Sequence, residues 1–135
     1  MKKLILLLIA LPLLLANCSK ESQPDGPTNT TTNYKGIFTT GTIDANLQEL
    51  PALVVVTENS ATDWSMSLEV SGQPAQVLAV TKTGEIIMFT DQTYQGTTVN
   101  GKGDVTNNGN QLRFTVESTG ATTTTTVGSF LGQKQ

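Results

Sequence analysis

Trp64-Ser65-Met66-Ser67-Leu68-Glu69-Val70 sets four apolar residues at alternate positions with three polar ones between them. An extended strand points successive side chains to opposite faces, so this stretch has one face for a core and one for water. A helix would scatter the same residues around its circumference. Gln111–Glu117 repeats the pattern: Leu112, Phe114 and Val116 face one way, Arg113, Thr115 and Glu117 the other. Working outward, further strands are expected at Tyr34–Ile43, Leu53–Glu58, Ala75–Lys82, Glu85–Asp91, Thr97–Thr106 and Ala121–Leu131. Only Asp44–Leu50 suggests a helical turn.

The 23 threonines favour strands, because a β-branched side chain packs well on a pleated surface. Turn residues stand between the runs: Asn59-Ser60, Gly72-Gln73-Pro74, Thr83-Gly84 and Asn107-Asn108-Gly109-Asn110. Asn-Gly in the last supplies the positive φ that tight hairpins need. The expectation is an all-β domain: one antiparallel meander of about eight strands, closed as a small barrel or folded as a sandwich. Inward positions are Phe38, Val54, Val56, Trp64, Met66, Leu68, Val70, Leu78, Val80, Ile87, Phe89, Val99, Val105, Leu112, Phe114, Val116 and Phe130. Glycines 96, 101 and 103 are expected to mark bends or bulges that let the sheet curve.

The first 17 residues have another character. Lys2 and Lys3 precede a stretch, Leu4–Leu15, that is apolar but for Pro12, and Ala16-Asn17-Cys18 follows. A positive start, an apolar run and a small-residue cut site describe a secretory signal peptide. The run is short for a membrane span, which takes about 20 residues. Leu15-Ala16-Asn17-Cys18 resembles the lipobox of bacterial lipoproteins, with Asn17 where that pattern prefers Gly, Ala or Ser. The resemblance implies cleavage between Asn17 and Cys18, a diacylglycerol on the thiol and acylation of the freed amine. Cys18 is the only cysteine, so the exported domain has no internal disulfide. Two or three acyl chains anchor durably where one binds reversibly.

Ser19-Lys20-Glu21 is similar to the surface-export signal of Bacteroidota lipoproteins, with one acid after the lysine and Ser22 next. It implies a lipid-anchored envelope protein of the outer membrane, with surface exposure open. Residues 19–33 hold no apolar side chain and read as a flexible tether. The expected organisation is therefore a signal peptide over 1–17, a lipidated cysteine with its tether over 18–33, and the β-domain over 34–135. Tyr34-Lys35-Gly36-Ile37-Phe38 and the closing strand resemble small lipocalin-like lipoprotein domains, without the Trp of their usual opening.

Chemistry is sparse. There is no histidine, so no Ser-His pair or imidazole metal site can form. Cleavage removes two of the eight basic residues and none of the eleven acidic ones, which makes the mature chain more acidic than the −3 precursor and argues against nucleic acid. Glu69 and Glu117 fall on the polar face of their strands, the expected place for solvated carboxylates. Asp104-Val105-Thr106-Asn107-Asn108-Gly109 partly fits a calcium loop, but Thr115 stands where the closing Glu belongs. No metal, cofactor or catalytic residue is expected. The partner is the membrane, through the lipid. Two binding roles stay open: a module presenting its surface, or a carrier with Trp64, Met66, Met88 and Phe114 lining a pocket. A carboxylate-dependent hydrolase ranks below both.

Overall fold

The computed structural model describes residues 29–41, 46–119 and 124–135. It is all-β in those residues: β1 (Thr30–Thr40), β2 (Gln48–Glu58), β3 (Asp63–Val70), β4 (Gln76–Thr83), β5 (Ile86–Tyr94), β6 (Thr97–Thr106), β7 (Gln111–Thr119) and β8 (Thr124–Lys134). Each strand pairs antiparallel with the next, and β1 pairs with β8, Tyr34–Thr40 against Lys134–Gly128, to close a barrel. That closure decides between barrel and sandwich. It also leaves the meander without terminal edge strands.

The alternation in β3 and β7 sets the wall as expected: Trp64, Met66, Leu68 and Val70 are buried, as are Leu112, Phe114 and Val116. Every inward position named from the sequence is buried, and Tyr34, Ala52 and Tyr94 join them. No polar or charged residue is buried among those described. Phe89, Phe114 and Phe130 form a file of rings, Phe114 edge-on to Phe89 at 6.1 Å and stacked on Phe130 at 5.3 Å. Phe38 meets Tyr94 at 6.1 Å. An eight-stranded barrel encloses room for its own side chains or for one small ligand. Here the aromatic rings take that room.

Three readings need correction. β1 begins at Thr30, inside the segment expected to be tether, because Thr30–Thr32 pair with Glu58–Val56 of β2. Gln48–Leu50 open β2 rather than closing a helical turn; they pair with Thr40–Phe38, and Leu50 packs against the core. Residues 42–45, the rest of that turn and of the first strand as expected, lie outside the described residues. Glycines 101 and 103 are not bulges. A Cβ at Gly101 would run into the Phe89 ring, so its bare backbone makes room for that ring; one at Gly103 would run into the β7 chain at the Arg113 carbonyl and Phe114 Cα and Cβ, so there it is the neighbouring strand that needs the room. Gly96 shares a positive-φ turn with Gln95.

The extra residues at the register breaks belong to β5 and β8, the first break falling just beside Gly101. Thr90 and Asp91 of β5 stand opposite Asn100 alone on β6, between the pairs Phe89–Gly101 and Gln92–Val99. Asp91 takes φ +51°, and its N–H donates to Asn100 Oδ1 at 2.8 Å. The Asn100 Nδ2 donates in turn to Thr119 Oγ1 at 3.0 Å. A second irregularity places Val127 of β8 between Thr126 and Gly128, opposite Glu117 and Val116.

Candidate functional site

Asn17, Cys18 and Lys20-Glu21 lie outside the described residues. Of the four residues offered as a pocket, Met66 and Phe114 are wholly enclosed in the core. Met88 points the other way: it is 46% exposed on the outer face of β5. Ile87 and Phe89 take the interior, as their expected inward positions require, and alternation then turns Met88 between them outward, away from the pocket it was expected to line. Trp64 is buried, yet its edges reach two openings, one at a barrel mouth and one in the wall. The four residues do not form one pocket.

The mouth lies where both ends of the domain meet. Tyr34 reaches across it to donate its hydroxyl to Gly109 O at 2.8 Å. The β6–β7 turn that carries this acceptor runs through Asn107, Asn108 and Gly109, all at positive φ. Burial pushes the Tyr34 hydroxyl above its ordinary pKa, and the Glu58 carboxylate pushes it the same way. Lys82 lies 4.9 Å over the Trp64 ring. Glu58, Glu85 and Lys134 complete the rim of an open hollow of about 320 Å³. No carboxylate is buried among the described residues.

The second opening is a seam between β4 and β5. These strands are in register only at Thr81–Met88, Lys82–Ile87 and Thr83–Ile86. Beyond them the bulge at Thr90–Asp91 turns β5 away, as bulges do when they end a pairing. A cleft of about 460 Å³ follows, lined by Trp64, Val80, Met88, Phe89 and Gln92 among others. The Gln92 carboxamide spans it: its Oε1 accepts from Ala79 N–H at 3.0 Å, and its Nε2 donates to Thr90 O at 2.8 Å.

Asp104, first residue of the calcium-like segment, is held elsewhere. Arg113 opposite it on β7 donates two hydrogen bonds to its carboxylate, at 2.6 and 2.7 Å. Those bonds lower the Asp104 pKa. No cluster of metal-ligating residues occurs among the described residues. Thr124–Thr126 pair with Thr119–Glu117 on one side; on the other, β1 stops at Thr40, whose hydroxyl donates to Val127 O at 3.0 Å. Residues 121–123 of the expected last strand lie outside the described residues.

No protein-family model, curated protein or solved structure matches this chain.

Proposed function

We propose that the protein is a lipid-anchored envelope lipoprotein whose barrel is a non-catalytic module that binds at its outer surface. The observation that carries the binding mode is the burial of the inward side chains, the Phe89–Phe114–Phe130 file among them, where a carrier would hold its ligand. The lipobox-like Leu15-Ala16-Asn17-Cys18 supports the anchor. In this reading residues 18–29 link the lipid to β1, and a coil of that length spans roughly 20 Å. β1 starts at the mouth that holds Tyr34, Trp64 and Lys82, so the tether joins the barrel at that end. The seam opens on the wall.

Metabolic labelling with palmitate tests the anchor. The wild-type chain takes up label, Cys18→Ala does not, and globomycin causes a larger precursor to accumulate. A wild-type chain that stays unlabelled and insensitive to globomycin overturns the reading.

A further inference from the structure

The Gln92 side chain does in the seam what a strand would do. In an antiparallel ladder successive residues turn their backbone groups to opposite neighbours. Lys82 N–H bonds to Thr62 O at 2.7 Å, on the β3 side. Thr81, Ala79 and Val77 therefore turn theirs towards β5. Likewise Glu85 O accepts from Val105 N–H of β6 at 2.8 Å, so Ile86, Met88 and Thr90 face β4. Thr81 pairs with Met88, but Ala79 and Val77 have no partner residue on β5. A carboxamide has the same acceptor and donor as a peptide group. Gln92 presents its oxygen to Ala79 and its nitrogen to Thr90, one peptide unit's worth of strand.

We propose that the β4–β5 seam is a strand-addition site for an extended peptide segment of a partner protein. The peptide backbone takes Ala79 N–H and Thr90 O from Gln92, exchanging amide for amide, and continues past Val77. Strand addition draws affinity from such main-chain bonds and specificity from side-chain pockets. One apolar side chain of the peptide turns into the cleft among Trp64, Val80, Met88 and Phe89. Val77, 69% exposed at the open end, flanks the next position. Asp63 is the one charged residue lining the cleft, so the segment carries no acidic residue beside it. It alternates polar with apolar residues and contains no proline at a bonding position. The site deepens the reading of the barrel as a binding module, and it is independent of the lipid anchor.

Trp64 is the only tryptophan in the chain and lines the cleft, so its emission reports occupancy. The probe is acetyl-TVTVT-amide, titrated against the detergent-solubilised full chain. Its control is the same peptide N-methylated at alternate peptide bonds, which cannot pair as a strand. The expected result is a saturable change in Trp64 emission with the first peptide and none with the second. Gln92→Ala removes the competing amide and should tighten binding several-fold. No response in the wild-type chain, an equal response to the N-methylated peptide, or unchanged affinity in Gln92→Ala overturns the proposal. The titration can fail while palmitate labelling succeeds, which separates this site from the anchor.

Discussion

β7 and β8 run together along their whole length, Gln111–Thr119 against Gln133–Thr124, with Phe114 and Phe130 stacked on their inner face. β4 and β5 share three residues each before a bulge parts them and a side-chain amide bridges the gap. Both walls come from the same kind of sequence, short strands with β-branched residues. They differ in what holds them. The β7–β8 wall combines a ladder that resumes past its one irregularity at Val127 with aromatic packing; the β4–β5 wall has its ladder only at the mouth end. A barrel with one weak seam can keep a rigid core and still offer backbone hydrogen bonds to a partner.

The sharpest test of that contrast removes a ring from the strong wall. Phe114→Ala should cost about 3–5 kcal/mol in urea unfolding, the range for deleting a buried aromatic. Val77→Ala, on the exposed face of β4, should stay within about 0.5 kcal/mol. Gly101→Ala comes next. The added methyl meets the Phe89 ring, and overpacking of this kind costs about 1–3 kcal/mol. A melting temperature unchanged in Gly101→Ala would show that Phe89 has room to move.

Tyr34→Phe should cost about 1 kcal/mol, for one partly buried hydroxyl bond to Gly109 O. It also changes the alkaline limb. The folded state raises the pKa of Tyr34 and of Tyr94, chiefly by burial, so the unfolded chain ionises first. Stability is therefore full below pH 10 and falls as pH rises through that value towards the folded pKa values. Tyr34→Phe should flatten part of that fall in pH-dependent denaturation. The smallest effect belongs to Asp104 on the outer face. Its lowered pKa contributes stability above the ordinary carboxylate value near 3.8, lost as pH falls through the folded value. Asp104→Asn should remove that acid-limb contribution, measured as denaturation midpoints across pH 2–5.

The strands with strict alternation were legible in residue order. Trp64–Val70 and Leu112–Val116 announce their buried face, and Thr97–Thr106 coincides with the observed β6. Asn107-Asn108-Gly109 announced its hairpin. Thr30–Thr32 gave no such signal, since three threonines without an apolar neighbour become a strand only when β2 offers them a ladder. Met88 was misplaced as a pocket residue although Ile87 and Phe89 on either side of it were read as inward; strict alternation sends it outward. The seam was hidden for a different reason. It depends on one positive φ at Asp91 and on where the Gln92 side chain lands, and both are tertiary outcomes. The anchor proposed at Cys18 rests on residue order alone, on the place of the cysteine beside the apolar run.

Amide hydrogen exchange followed by NMR tests the strong-wall, weak-seam account most directly. Leu78 and Val80 bond towards β3, while Val77 and Ala79, on the same strand, face the seam. The account predicts that Leu78 and Val80 exchange as slowly as the β7 amides, and that Val77 and Ala79 exchange faster through local opening. Equal protection at all four positions would contradict it.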